Sequence, residues 1–215
     1  MKRDYRLKKA GTKSEKEAIY RLRYDVYISE KKEIHPNTDN INYFVKDEFD
    51  DISDLFYIEC ENEVIASLRI SMKKNGLLEF EDKYEMDRFK PYYPENISTT
   101  SRLIVNSEKR NGRCLSILIN HIFEYGIDNG ILLDFINCSE PLDKLYESMG
   151  YRRYKNNFDH PVYGSVIPLV LFGNDISYFN KIKSPFRKIC QRKGLQEDYK
   201  LLEAKSHFNL YTKHI

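Results

Sequence analysis

The chain has 215 residues, of which 41% are hydrophobic and 32% are charged. This length suits one α/β domain, alone or with a short extension, and the apolar content excludes bulk disorder. Basic and acidic residues nearly balance, so the formal net charge of +2 does not indicate a nucleic-acid-binding protein.

The first part of the chain predicts a helix and then a hairpin. Apolar residues recur at helical spacing from about residue 13 to 29, and a loop rich in Asn and Asp follows at 35–42. Residues 55–60 and 64–72 are typical of strands, and Glu61-Asn62 between them suits a tight turn. We expect these two strands to form an antiparallel hairpin.

The middle of the chain predicts a strand, a loop and a long helix. Residues 98–106 contain a short apolar run that is typical of a buried strand, and a polar loop follows. Residues 115–123 place apolar side chains on one helical face, and Gly130 is suited to the end of that helix. A further strand is expected at 131–137.

The last part of the chain alternates short elements. Pro141 is suited to the start of a helix that runs to Met149. Residues 151–154 and 166–172 predict two more strands, and Asp175 is expected to cap a helix through Phe179. The tail that follows is basic at first, then mixed, and is predicted to be helical.

This order predicts an α/β fold with a mixed sheet and helices on its faces. No repeat or linker divides the chain. We therefore expect one domain over residues 1–180, with residues 181–215 as a basic helical C-terminal extension of it.

The cysteines and the N-terminus bear on metal binding and location. No cysteine pair or Cys/His group has zinc-ligand spacing, so no metal site is predicted and the thiols are expected to be reduced. Cys114 and Cys138 lie in apolar surroundings typical of a core. The basic N-terminus lacks the apolar segment of a secretory signal, and the longest apolar runs are too short for a membrane span. We expect a cytoplasmic protein.

The loop after the third predicted strand carries the first functional signal. Amides at a helix N-terminus bind phosphate, glycine permits a close backbone approach, and cationic side chains add attraction. The candidate phosphate-binding residues are Lys109, Arg110, Asn111, Gly112 and Arg113. A basic solvated turn with a helix-starting glycine explains the same residues equally well.

Two motifs resemble the GNAT acyltransferase superfamily. Lys109-x-x-Gly112-x-Cys114 is similar to its pyrophosphate loop R/Q-x-x-G-x-G/A, with Lys and Cys substituted. Leu145-Tyr146-x-x-x-Gly150-Tyr151 is similar to its F/L-Y-x-x-x-G-F signature. The resemblance implies that Tyr146 protonates the departing thiolate, which suits a phenol because its pKa lies near that of a thiol. Alternatively, Tyr146 belongs to the apolar face of its helix.

Four more motifs indicate a branch of that superfamily. They stand in order as R-x-x-V-F/Y at residues 23–27, an acidic D-x-F/Y-D-like segment at 47–50, G-x-x-R-L at 66–70 with Ala for Gly, and E-x-S-R-F/L at 99–103. The set resembles the acyl-homoserine-lactone synthases and, more closely, the N-acyl amino acid synthases, which end in a His-Pro…Gly…Pro stretch. Here that stretch reads His160-Pro161, Gly164 and Pro168.

The resemblance implies a substrate-binding set, which comprises Arg23, Tyr27, Asp47, Asp50, Arg69, Ser101 and Arg102. Arg23 lies on an apolar helical stripe and the other two arginines lie within predicted strands, so each needs a carboxylate or carbonyl partner. Asp47 and Asp50 are the obvious partners. A structural ion-pair network is the favoured reading for Arg23, while structural and substrate-carboxylate roles stay equally open for Arg69 and Arg102.

One position departs from the pattern. The family carries a glutamate where this chain has Thr99, and threonine cannot act as a base. His160, Glu81 or water is then expected to take the proton from the amine, and loss of activity is the other possibility. The catalytic candidates are therefore Tyr146, Thr99 and His160.

The resemblance implies a GNAT-like, mostly antiparallel sheet and an N-acyltransferase. Backbone groups of Leu103, Ile104 and Val105 would bind the pantetheine of an acyl-CoA or acyl-carrier-protein thioester and polarise its carbonyl. The acceptor would be a small-molecule amine such as an amino acid. The donor would carry a medium or long acyl chain, in a slot formed by Phe80, Phe89, Ile104, Leu133 and Phe135, which are otherwise ordinary core residues.

Alternatives remain for the function. One is an acetyl-CoA-dependent N-acetyltransferase, and another is a catalytically silent acyl- or ligand-binding module. The basic cluster near the C-terminus comprises Lys181, Lys183, Arg187, Lys188, Arg192 and Lys193. It either faces an acidic carrier protein or forms a solvated helix, which is the favoured reading; nucleic-acid binding is disfavoured because no aromatic platform accompanies it.

Overall fold

The computed structural model describes residues 4–110, 112–197, 200–201 and 205. They form two compact units: the first draws on Met1–Ser71 and Thr100–Ile122, the second on Met72–Thr99 and Phe123–Ile215. The helices are α1 (Lys13–Tyr24), α2 (Glu81–Tyr84), α3 (Arg113–Asp128), α4 (Glu140–Met149), α5 (Ile176–Lys181) and α6 (Arg187–Lys193). The strands are β1 (Arg6–Lys9), β2 (Thr38–Asp39), β3 (Phe44–Val45), β4 (Asp54–Cys60), β5 (Glu63–Met72), β6 (Ile97–Val105), β7 (Leu133–Cys138), β8 (Arg152–Arg153), β9 (Phe158–His160) and β10 (Gly164–Phe172).

The first unit contains the predicted hairpin. The sheet strands of this unit lie in the order β1, β4, β5 and β6. The hairpin consists of β4 and β5, which pair in antiparallel register. Glu61 and Asn62 both have positive φ, of 55° and 65°, as a two-residue turn with the twist of its flanking strands requires. The hairpin prediction is confirmed.

Helix α1 covers this hairpin and begins at a capping box. The Thr12 hydroxyl accepts from the Glu15 amide, and the Glu15 carboxylate accepts from the Gly11 and Thr12 amides. These backbone N–H groups lower the pKa of Glu15 to about 2. On its inner face, α1 packs Ile19 and Tyr20 against Leu55 and Tyr57 of β4. The helical path continues past Tyr24 as a wider π-helical segment, Asp25–Glu30, which agrees with the predicted span of 13–29.

The second unit is built around β10. Strand β10 pairs antiparallel with β7, β8 and β9, while β6 and β7 are parallel through Ile97–Leu133, Ser98–Asp134 and Thr99–Phe135. Aromatic residues dominate the core, which includes Tyr84, Phe89, Tyr92, Phe135, Tyr154 and Phe172. The expected α/β fold with a mixed, mostly antiparallel sheet and flanking helices is confirmed.

Several short elements differ from the prediction. The strand expected at 151–154 shortens to Arg152–Arg153, and the loop expected at 35–42 includes the short strand β2. Strands β1 and β9 were not predicted, because their polar sequences show too little apolar alternation to be recognised as strands. Asp175 does cap α5, accepting from the Tyr178 amide at 3.4 Å.

Helix α6 covers part of the predicted C-terminal extension, most of whose remaining residues lie outside the described ranges. All four cysteines are buried and free. Within the described ranges, no helix has the length and apolar character needed to cross a membrane. The same residues contain no group of three or more His, Cys, Asp or Glu side chains suited to a metal ion.

Candidate active site

Five charged residues of the first unit form what we call the arginine–carboxylate network: Arg23 on α1, Asp47 and Asp50 on the turn before β4, Arg69 on β5 and Arg102 on β6. Arg23 donates to both oxygens of Asp50, at 2.7 and 2.9 Å. Two parallel bonds of this kind are the strongest geometry for an arginine–carboxylate pair. The network ties the N-terminal helix to the turn before the sheet.

Asp47 is shared by two arginines of the network. Arg69 donates to Asp47 Oδ1 and, at 3.1 Å, to Asp50 Oδ1, while Arg102 donates to Asp47 Oδ2 at 2.6 Å. Arg69 also donates from Nε to the Ser101 hydroxyl at 3.1 Å. The expectation that Asp47 and Asp50 are the partners of the three arginines is confirmed.

Burial separates the three arginines of the network. The side chains of Arg23 and Arg69 are 0% exposed, whereas that of Arg102 is 12% exposed. Burial alone would raise the pKa of Asp50, but the guanidinium groups of Arg23 and Arg69 more than offset this and lower it to about 2. The carboxylate is therefore ionised at neutral pH, as its buried cationic partners require.

The backbone at Arg102 has a conformation that is rare within a strand. Its φ is +55°, in the left-handed region that costs a non-glycine residue free energy. Surrounding contacts hold it there, including the ion pair of its side chain with Asp47. This bend precedes Leu103, Ile104 and Val105, the residues predicted to meet the pantetheine. Ile104 is buried with Leu22, Val26 and Val45, so its side chain belongs to the core.

Tyr27, predicted to bind substrate, is buried. Its ring stacks on His35 with centroids 4.7 Å apart, and the Lys31 ammonium lies 5.6 Å from the ring centroid. Burial, with the nearby Arg102 charge, lowers the pKa of His35. A neutral imidazole therefore packs against Tyr27, and this geometry gives Tyr27 a structural contact.

The predicted phosphate loop leads into α3, and there is free space beside the Cα of its glycine. Gly112 has φ of +72°, and an added Cβ would meet no atom within 4 Å. Arg110 donates to the Val105 carbonyl at 3.0 Å and pairs with Glu30, and the Arg113 guanidinium lies 5.0 Å from the Tyr5 ring centroid. These exposed contacts are weak enough to exchange for a phosphate. Lys109 is half-buried, and Asn111 lies outside the described residues.

In the second unit, Tyr146 lies on α4, three residues before its end. The Tyr151 amide donates to the Tyr146 carbonyl at 3.1 Å and the Gly150 amide to the Glu147 carbonyl at 3.0 Å, which is the pattern of a Schellman helix end. Gly150 has φ of +120°, and a Cβ there would come within 2.5 Å of the Phe179 ring. Tyr146 is half-buried, and its ring meets Tyr151 edge to face at 5.7 Å.

A buried polar cluster beside this helix end was missed by sequence reasoning. Asp134 on β7 accepts from the Ser98 hydroxyl and from the Tyr151 hydroxyl, each at 2.6 Å. Burial, together with the charge of Asp134, raises the pKa of Tyr151 well above its usual value. The available signal was the acidic residue itself, which stands alone inside an otherwise apolar strand sequence, Leu132-Leu133-Asp134-Phe135-Ile136.

The two candidates for the missing base are poorly placed for that task. His160 Nδ1 accepts from the amides of Val162, at 3.0 Å, and Tyr163, at 3.3 Å. That pattern favours the neutral tautomer with the proton on Nε2, which donates rather than accepts. Burial would raise the pKa of Glu81, but hydrogen bonds from Tyr93 and Lys73 lower it on balance. Thr99 is buried on β6.

The basic cluster at the C-terminal end is partly paired within the unit. Arg192 donates to Glu124 at 2.6 Å, and Lys193 pairs with Asp128 at 2.5 Å and with Glu124 at 3.2 Å. These contacts join α6 to α3. They favour the interpretation of the cluster as a solvated helix surface.

The proposed acyl slot is not supported by the packing of its residues. Phe89, Leu133 and Phe135 are fully buried members of the aromatic core of the second unit, and Phe80 packs against that core. These side chains are ordinary core residues, as the alternative reading held.

Comparison with known proteins gives one family match. Residues 22–120 match the family model described as an acetyltransferase (GNAT) domain. A search of curated proteins finds no match.

Solved structures with similar folds include two synthases and an acetyltransferase. The N-acyl amino acid synthase FeeM from uncultured soil microbes has a TM-score of 0.65 at 11% identity, covering 87% of this chain and 99% of that one. The AHL synthase LasI has a TM-score of 0.62 at 14% identity, covering 80% and 91%. A putative N-acetyltransferase from Lactobacillus plantarum has a TM-score of 0.57 at 16% identity, covering 78% and 97%.

At these identities the structural likeness concerns the fold, and the family match concerns residues 22–120. The resemblance to the GNAT superfamily, and to the fold of its N-acyl amino acid synthase and AHL synthase branch, is thereby confirmed.

Proposed function

We propose that this protein is an N-acyltransferase that moves an acyl group from a CoA or carrier-protein thioester to the amine of a small carboxylate-bearing molecule such as an amino acid. The GNAT family match supports an acyltransferase in general. The likeness to FeeM and LasI supports the synthase branch, whose named members make N-acyl amino acids and acyl-homoserine lactones. We expect the protein to act in the cytoplasm.

The observation that carries the acceptor assignment is the difference between the arginines of the network. Arg23 and Arg69 are fully enclosed and paired with carboxylates, so their charges serve the structure. Arg102 shares Asp47 with Arg69 yet keeps 12% of its side chain exposed. A planar guanidinium presents several N–H donors and can hold a protein carboxylate and a substrate carboxylate together.

The reaction follows from thioester chemistry. The neutral amine attacks the thioester carbonyl carbon, the new C–N bond forms, and the C–S bond breaks. Amides of Leu103–Val105, after the bend at Arg102, would stabilise the developing oxyanion. Tyr146 would give its proton to the departing thiolate and regain one from solvent. Water would take the proton of the amine, because Thr99 cannot and Glu81 is held as a low-pKa carboxylate.

For the donor, the likeness to the synthase branch favours a medium or long acyl chain. CoA-dependent acyl-homoserine lactone synthases are among the structures of similar fold, so acyl-CoA is the simpler donor to test first. A carrier-protein donor would require an acidic partner to meet Lys109, Arg110 and Arg113.

A second candidate is an acetyl-CoA-dependent N-acetyltransferase. It is favoured by the description of the matching family and by the likeness to the Lactobacillus plantarum protein. A third is a silent ligand-binding module, favoured by Thr99 in place of the family glutamate.

The experiment is an acyl-transfer assay with acetyl, octanoyl and palmitoyl donors, on CoA and on carrier protein, with a mixture of the standard amino acids. Thiol release and the mass of the product are measured together. Thiol release coupled to an N-acyl amino acid supports the proposal. Acetyl transfer alone favours the second candidate, and no transfer with any donor favours the third. Tyr43→Phe, an exposed tyrosine outside the proposed site, is the matched control for Tyr146→Phe.

A further inference from the structure

We propose that the buried cluster of Ser98, Asp134 and Tyr151 positions Tyr146 for proton donation. In this arrangement Asp134 holds the Tyr151 hydroxyl, and the Tyr151 ring holds the ring of Tyr146. The inference rests on the proposed function, in which Tyr146 protonates the departing thiolate. Asp134 and Tyr151 are positioning residues, since they act through Tyr146.

The first observation is that the cluster is buried and hydrogen-bonded. Ser98 and Asp134 are directly opposite in the parallel register of β6 and β7. One carboxylate oxygen accepts from Ser98 and the other from Tyr151, both at 2.6 Å. Ser98 is 0%, Tyr151 3% and Asp134 9% exposed. Both bonds are short, and breaking either one would leave a buried polar atom unpaired, so the Tyr151 ring has little freedom to rotate.

The second observation is that the backbone brings Tyr151 to Tyr146. The helix end at Gly150 gives a hydrogen bond from the Tyr151 amide to the Tyr146 carbonyl and sets the rings edge to face, at 5.7 Å and 80°. A helix end of this type is commonly closed by an apolar contact between these two positions. Such a contact needs only a ring, so the hydroxyl of Tyr151 and the buried carboxylate that receives it call for a separate explanation.

The third observation is that Tyr151 and Tyr146 lie in different chemical environments. Burial and the neighbouring carboxylate raise the pKa of Tyr151 well above its ordinary value, and its hydroxyl proton is directed at Asp134. A proton held in this way is unsuited to a thiolate. Tyr146 is half-buried near the end of its helix, and in the proposed function its phenol is the one that meets the thioester. Orientation of that phenol then depends on the ring beside it.

A double-mutant cycle tests the coupling. Thiol release from octanoyl-CoA with the amino-acid mixture is measured for Tyr151→Phe, Tyr146→Phe and the double variant. We expect Tyr151→Phe to lower kcat by about tenfold with little change in KM for octanoyl-CoA, because orientation affects the chemical step. In the Tyr146→Phe background the same change should cost nothing further. Asp134→Asn, which replaces one of the two acceptor oxygens with a donor, should show the same pattern if Tyr151→Phe is unstable.

Tyr154→Phe is the matched control. This residue is also a buried tyrosine of the second unit, and it likewise loses one hydrogen bond, from its hydroxyl to the Tyr84 carbonyl at 2.8 Å. Whatever its size, the effect of Tyr154→Phe on kcat should be the same in the parent and in the Tyr146→Phe background. Equal losses from Tyr151→Phe in both backgrounds, or no loss in either, would overturn the positioning role.

A measurement without turnover separates this inference from the proposed function. Tyrosines labelled with ¹³C at Cζ give one NMR signal each, and Tyr146→Phe identifies that of Tyr146. We expect Tyr151→Phe and Asp134→Asn to shift or broaden the Tyr146 signal, and Tyr154→Phe to leave it in place. An unmoved signal would overturn the positioning. Full turnover of Tyr146→Phe would instead overturn the proton-donor role.

Discussion

Arg23 and Asp50 form a two-point ion pair, at 2.7 and 2.9 Å, with 0% and 1% of their side chains exposed. Taking two charges out of water is costly, and each partner offsets that cost for the other. Removal of either one leaves a buried charge uncompensated. Asp50 also accepts from Arg69 and from the Asp47 amide, so its oxygens are well satisfied. This pair serves the structure of the protein, whereas Arg102 keeps part of its side chain exposed.

The first prediction concerns stability. Arg23→Ala leaves Asp50 buried beside fewer cations, and we expect it to lower the free energy of unfolding by about 3–5 kcal/mol. Urea denaturation followed by circular dichroism measures this. Arg192→Ala removes an ion pair whose arginine is 62% exposed and should cost less than about 1 kcal/mol. Equal stability of Arg23→Ala and the parent would contradict the account of the network.

The second prediction concerns acid unfolding. The pKa of Asp50 falls from 3.8 to about 2 on folding, so its contribution is fully present above pH 3.8 and is lost as pH falls toward 2. The shift corresponds to about 2 kcal/mol. We expect the stability difference between the parent and Asp50→Asn to shrink over this window. Asp159→Asn, at an exposed aspartate, should track the parent, and a difference that stays constant from pH 5 to pH 2 would argue against the lowered pKa.

The third prediction separates two arginines of the network. Arg102→Ala should raise KM for the amine substrate by at least about tenfold, and its melting temperature should fall less than that of Arg69→Ala, because the Arg102 side chain is 12% exposed and pairs with the Asp47 carboxylate. Arg69→Ala should lower the melting temperature strongly, because it removes a fully buried partner of two carboxylates. Kinetics and thermal melts of both variants decide this. The reverse pattern would move the substrate contact to Arg69.

The fourth prediction concerns the proton donor. Tyr146→Phe removes only a hydroxyl from a half-buried ring and should keep the fold while lowering kcat by at least about tenfold. Turnover is followed across pH for the parent, this variant and Tyr43→Phe. Parent-like rates at every pH would remove Tyr146 from the mechanism.

The order of elements and the partners within the network could be predicted from sequence because each has a local or a chemical signal. Apolar periodicity marked α1 and α3, and buried arginines demand carboxylates, for which the acidic segment at 47–50 was the obvious source. The polar strand β1 gave no such signal. The Asp134 cluster could not be assembled from sequence, because Ser98 and Tyr151 meet Asp134 only through strand pairing and a helix end. The acyl slot could not be distinguished from ordinary core for a related reason, since core and ligand-lining aromatics have the same pattern in sequence.

The fifth prediction concerns a carrier-protein donor. If an acidic carrier docks on Lys109, Arg110 and Arg113, its KM should rise steeply with salt, because charges at about 10 Å separation are screened near 0.1 M. The KM for acyl-CoA should change less. Carrier-dependent turnover that ignores salt would remove the docking surface and leave the chain-length preference untouched.

The proposed function is the transfer of a medium or long acyl group from a thioester to a small-molecule amine. Its most direct test is the competition between acetyl-CoA, octanoyl-CoA and palmitoyl-CoA for one amino-acid mixture, with thiol release and product mass recorded together. We expect amine-dependent thiol release with a preference for octanoyl or palmitoyl, and a product whose mass is that of an N-acyl amino acid. Thiol release that does not depend on the amine, or a clear preference for acetyl-CoA, would contradict it.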